Sequence, residues 1–237
     1  MFRKFIAFTL AETLIVMGII GIVSALTLPN LNSSTGEKEK VAKVKKIYQN
    51  LTDAYGRATA VYGPMSDWFV NDTTDSDRIK RFAERITEFM KISKNCGTST
   101  GCWSTSPLLF VDGDECESNA FEAEKSHAGY YFVILADGSS LSFVTARDGY
   151  EYRIRVDIDG PNKGKTQEGS DIFDFTIYIG SGSNGQIAYQ LTPSTYPDNW
   201  NGAGVSDYYT AWVIQNENLD YLKCNNKLNW ETKTSCK

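Results

Sequence analysis

The sequence predicts an α+β protein: a long N-terminal helix, half membrane-spanning and half amphipathic, packed on an antiparallel sheet and followed by a C-terminal disulfide loop. Three observations predict it. Residues 8–28 form an apolar run whose one charge is Glu12. Val41, Val44, Tyr48, Leu51, Tyr55, Ala58 and Tyr62 then recur every three or four residues, which places one stripe along a helix face. From Tyr130 onward the chain breaks into short alternating runs separated by turn residues, the pattern of successive strands.

The apolar run has the roughly 20 residues that a helix needs to cross about 30 Å of hydrocarbon. Arg3 and Lys4 precede it, on the flank expected to stay cytoplasmic. Lys38, Lys40, Lys43, Lys45 and Lys46 follow it, so a count of positive charge does not favour that orientation; the downstream cysteines, which suit an exported domain, outweigh the count. After Pro29, Ser34 and Glu37 have the spacing of a capping box that restarts a helix, and the striped segment continues to Gly63-Pro64. Its lysines read as a solvated face.

A second helix is expected from about Ser76 to Ser93, with Ile79, Phe82, Ile86 and Phe89 inward and Asp75 or Ser76 as its cap. Residues 96–128 read as an irregular connection rich in glycine, serine and acids. Strands are expected over 130–135 and 140–145, joined by a primed turn at Asp137-Gly138, then over 152–158 and 172–179, with an edge strand over 186–191. A last helix is expected over 208–222.

Of 237 residues, 41% are hydrophobic and 22% charged, which suits one globular domain with an appended element. The net charge of −5 argues against nucleic acid as the main partner. A single histidine, His127, thins the options for general-base or histidine-metal chemistry and reads as a surface loop residue. The five cysteines match no Cys-x-x-Cys zinc or redox pattern. Their local spacing favours the bridges Cys96–Cys102 and Cys224–Cys236 and leaves Cys116 over, with other connectivities still open.

A carboxylate inside an apolar span costs at least about 2–3 kcal/mol, so Glu12 calls for a partner. An ordinary secretory signal, for which Val23-Ser24-Ala25 resembles a cleavage site, has a core of only about 7–15 residues and rarely holds a carboxylate. The stretch Ala7-Phe8-Thr9-Leu10-Ala11-Glu12, with the apolar run behind it, resembles the cleavage and methylation motif of type IV pilins and type II secretion pseudopilins. The resemblance covers about a tenth of the chain. It implies a leader over 1–7, cleavage between Ala7 and Phe8, N-methylation of Phe8, a transmembrane helix over 8–28, its continuation over 29–62 and a globular domain over 63–237. Ala7 departs from the glycine usual in that family, which implies slower processing. Gly18, Gly21 and Pro29 fall where such helices loosen on packing.

The implied function is a non-enzymatic fibre subunit in which Glu12 neutralises a neighbour's new amine during assembly. The implied partners are other pilin or pseudopilin subunits, the prepilin peptidase/methyltransferase and the inner-membrane assembly machinery. The implied location is the bacterial inner membrane, single-pass with the C-terminal domain outside the cytoplasm, and then a periplasmic or surface fibre. Secretion, adhesion, motility and DNA-uptake fibres stay open, as does the alternative of a membrane-anchored extracytoplasmic binding module or hydrolase. No cofactor is expected, with one candidate exception. Asp157, Asp159 and Asp171 flank a Gly160-Pro161-Asn162 turn and form a candidate calcium loop, although EF-hand spacing and its closing glutamate are missing and a plain turn explains the same residues. Some secretion pseudopilins bind calcium in a loop. The tryptophans Trp68, Trp103, Trp200, Trp212 and Trp230 read as packing residues ahead of a binding face.

Overall fold

Helix α1 spans Leu10–Tyr62. The computed structural model describes residues 9–72, 74–115, 129–146, 151–178, 187–188, 206–224, 227–230 and 232–236, with only the backbone of 24–35, 146, 151, 178, 187–188 and 206–208. The chain divides into two units, Met1–Glu39 and Lys40–Lys237.

In the first unit, helical backbone continues past Pro29, which removes one backbone donor without ending α1. The restart expected at Ser34 and Glu37 is absent, because amides inside a continuous helix already have carbonyl partners and leave nothing to cap. The membrane-spanning half of the expected fold is corrected as well. Among the described residues no helix is long and apolar enough to cross a membrane. The expected single-pass placement in the inner membrane falls with it.

The second unit builds its core on the striped part of α1. Val41, Val44, Ile47, Leu51, Ala54, Tyr55 and Ala58 are buried there; Tyr48 sits at the margin, stacked on Phe175 at 6.0 Å between ring centres. A single helical turn, Met65–Asp67, follows α1 and leads Trp68 into the core, where its indole N–H donates to the Gly63 carbonyl at 2.9 Å. Helix α2, Asp75–Thr87, is capped by Thr74, whose hydroxyl oxygen accepts from the Asp77 amide at 3.1 Å; the expected cap lay one or two residues later. Ile79, Phe82 and Ile86 point inward as the spacing predicts, and Phe89 packs at the edge of the same core. Asp72 grips Arg81 with two oxygens, at 2.7 Å from both Nε and Nη2.

Six strands follow as an antiparallel meander in chain order: β1 (Ile92–Gly97), β2 (Tyr131–Leu135), β3 (Ser140–Ala146), β4 (Glu151–Asp157), β5 (Ile172–Tyr178) and β6 (Ile187–Ala188). β1 occupies residues expected to finish α2 and begin a loop; it pairs with β2 through two register shifts, so its irregular backbone carries no clean alternation. Leu141↔Val156, Phe143↔Ile154, Ile154↔Phe175 and Val156↔Phe173 are cross-strand partners, which aligns the apolar alternation of β3, β4 and β5 on one face. That face, α1 and α2 share one core.

On the opposite face, Cys102, Trp103 and Leu108 cover Phe132 and Ile172. Arg155 and Asp174, directly opposed on β4 and β5, form a buried two-point ion pair at 2.8 and 3.0 Å. Among the described residues two helical segments lie where one was expected: α3 (Ser206–Asn216) and the short α4 (Tyr221–Cys224). The Thr210 hydroxyl oxygen of α3 accepts from the Asp174 amide at 3.1 Å. Both expected disulfides are present, Cys96–Cys102 and Cys224–Cys236. Closing a loop of the second size contributes about 3 kcal/mol in the chain-entropy account. Trp212 is fully buried against Trp230, so the described tryptophans serve packing. Cys116, His127 and Trp200 lie outside the described residues.

Candidate functional site

Two places carry the residues singled out by sequence. The first is the start of α1. Thr9 and Glu12 cap the helix reciprocally: the Glu12 amide donates to Thr9 Oγ1 at 3.3 Å, and the Thr9 amide donates to Glu12 Oε2 at 2.9 Å. The Thr9 hydroxyl donates to the same carboxylate oxygen at 2.8 Å. Among the described residues, Oε1 takes no partner. The Thr-x-x-Glu spacing that signals this box was legible in the sequence and was missed there, because Glu12 was weighed only as a charge in an apolar run. Behind the box, Leu10, Leu14, Ile15, Val16, Met17, Ile19, Ile20, Ile22 and Val23 are exposed all round the helix, from 53% at Val23 to 80% at Leu10. A surface apolar on every side differs from the one-sided stripe of a helix packed on its own core. Ala7 and Phe8 lie outside the described residues.

The second place is the 157–171 loop, and the fold does gather its aspartates. Gly160 has φ +86°, and a Cβ there would meet the Gly138 carbonyl oxygen at 2.3 Å. Gly164 has φ +74°, and a Cβ there would lie 3.0 Å from Asp171 Oδ2 and 3.3 Å from Asp159 Oδ2. At Gly160 any side chain would collide with backbone, and at Gly164 it would strain the backbone and crowd both carboxylates. Asp157 is fully buried. Its Oδ1 accepts from the amides of Asp159 at 3.1 Å and Gly160 at 2.9 Å, while Oδ2 has no hydrogen-bond partner. Burial pushes its carboxyl up to about 7, against the lowering effect of those two amides and with help from the charges of Asp171 and Asp159.

Positive charge reaches this loop from α1. Lys40 Nζ lies 2.5 Å from Asp171 Oδ1 and 3.1 Å from the Ser170 hydroxyl, and the Lys165 amide donates to Asp171 Oδ2 at 2.9 Å. Lys43 Nζ donates to Asp159 Oδ1 at 3.4 Å. Two more lysines of the same helix pair outward, Lys45 with Glu217 and Lys46 with Asp137. The face expected to be merely solvated is a row of ion pairs. The calcium expectation does not fit this donor set: lysines and backbone amides hold most of the oxygens a hard cation would need. Among the described residues no group of three or more His, Cys, Asp or Glu is placed to hold a metal ion.

A cleft of about 390 Å³ opens beside Lys46, Asp53, Arg57, Phe89, Met90 and Leu135. On its rim Lys46 pairs with Asp137 and Arg57 with Asp53, each at 3.0 Å, and Lys91 lines it as well. No protein-family model, curated protein or solved structure matches the chain.

Proposed function

We propose that this chain is a structural subunit of a fibre of the type IV pilus or type II secretion pseudopilus kind. Its leader is removed between Ala7 and Phe8 by a prepilin peptidase, the new amine of Phe8 is methylated, and the mature chain assembles with copies of itself or related subunits. The observation that carries the reading is the all-round apolar start of α1 with one carboxylate, Glu12, in its first turn.

Such a surface is covered when the same segment of neighbouring subunits packs around it, and burial of each CH₂ there contributes about 0.8 kcal/mol. Covering the segment also dries Glu12. An unpaired buried charge costs several kcal/mol, whereas a cleavage-generated amine four residues earlier in a neighbouring copy supplies the opposite charge. Oε2 is committed to the helix's own cap, which leaves Oε1 for that amine. The chemistry is assembly, with no catalytic step assigned to the globular unit.

N-terminal mass spectrometry of the protein from its native host tests the processing step. The reading expects a chain that begins at Phe8 with a methylated amine. A start at Leu26 would identify ordinary signal-peptidase cleavage and remove the assembling segment altogether.

A further inference from the structure

We propose that Lys40 and Lys43 stand in for a divalent cation in the 157–171 loop, so that this loop folds without calcium. The inference stands apart from the fibre reading. The loop carries three aspartates, a tight glycine turn and a second glycine, Gly164, at which a Cβ would crowd both Asp171 and Asp159. Three carboxylates drawn together with no counter-charge repel, which is the situation a calcium ion relieves. Here the counter-charge is covalently attached to the core. Lys40 and Lys43 are three residues apart on α1, hence neighbours on one side of the helix. The first reaches Asp171, which is 2% exposed, and the second reaches Asp159.

The oxygens divide accordingly. Asp171 gives Oδ1 to Lys40 and Oδ2 to the Lys165 amide. Asp159 gives Oδ1 to Lys43, and Asp157 gives Oδ1 to the amides of its own turn. Calcium takes six to eight oxygens at about 2.3–2.6 Å. Of the six aspartate oxygens, Asp157 Oδ2 and Asp159 Oδ2 are left over, fewer than such a shell takes, and the two ammonium groups already sit against Asp171 and Asp159. Because the lysines belong to the helix that carries the core stripe, the loop is tied to α1 through charge as well as packing.

The test is thermal unfolding of the full chain in a chelator and in a few millimolar calcium, with magnesium as control, a concentration above the weakest protein calcium sites. The wild type is expected to melt at the same temperature in all three. A calcium-specific rise of roughly 5 °C or more would overturn the proposal. The double variant Lys40→Met/Lys43→Met keeps the aliphatic stems and removes the charges. It is expected to melt lower in chelator and to recover in calcium. A folded double variant that ignores calcium would overturn the proposal too. If the double variant fails to fold, Lys40→Gln alone is read the same way, and Lys40→Arg/Lys43→Arg is expected to behave as wild type.

Discussion

Residues 10–23 and residues 41–58 belong to one helix, yet they meet their surroundings in opposite ways. In the first stretch every large apolar side chain is exposed; in the second the apolar positions are confined to one stripe and that stripe is buried. Helical backbone alone does not decide what a segment is for. A stripe flanked by lysines with acidic partners is a docking surface for the chain's own sheet. An apolar surface all round, carrying one carboxylate, is left uncovered among the described residues.

Paired truncations sharpen this contrast most. Leu51→Ala removes a fully buried side chain from the stripe and is expected to cost about 2–5 kcal/mol in denaturant unfolding. Ile15→Ala, in the exposed stretch, is expected to shift the same transition by no more than about 0.5 kcal/mol while lowering fibre yield. Equal effects of the two on folding would break the comparison.

A second effect concerns the sheet side of the docked stretch. Asp157 holds its proton up to about 7 in the folded chain, whereas an unfolded aspartate releases it near 3.9. Between those values the native state binds more protons than the unfolded state, so stability is expected to fall as pH rises from about 4 to about 7 and to level off above. Asp157→Asn should flatten that part of the curve when unfolding is measured across the same window. A slope unchanged by the substitution would place the titration elsewhere.

The smallest effect is expected at Lys45. Its pair with Glu217 is well exposed on both sides, so Lys45→Ala should change unfolding by about 0–1 kcal/mol and lose even that in high salt. A larger loss would mean that the ion pairs, and not the stripe, hold α1 to the sheet.

These regions also differ in how much of them the sequence reveals. The stripe, the strands β2 to β5 and both disulfides were legible because their signals are local: period, turn residues, and cysteines 6 and 12 residues apart. The lysine partners were not. Lys40, Lys43, Lys45 and Lys46 find acids 131, 116, 172 and 91 residues away, and no short-range pattern marks such a pair. β1 escaped notice because Ile92-Ser93-Lys94-Asn95-Cys96-Gly97 has no alternation, and only pairing with β2 makes it a strand. The membrane span was inferred from apolar length in the sequence, and among the described residues no helix meets that requirement. The Thr-x-x-Glu spacing marks the cap at Thr9 locally, so Glu12 both starts the helix and carries the one charge of the apolar run.

That double role permits a direct test. Glutamine at position 12 retains the oxygen that accepts from the Thr9 amide, so Glu12→Gln keeps the capping box and loses only the charge. The measurement is fibre yield, by sedimentation and electron microscopy, for wild type and Glu12→Gln at matched expression and with N-terminal processing checked. The account expects a processed, normally folded Glu12→Gln subunit that fails to enter fibres. Normal fibre yield from that variant would contradict the pairing of Glu12 with a neighbour's amine.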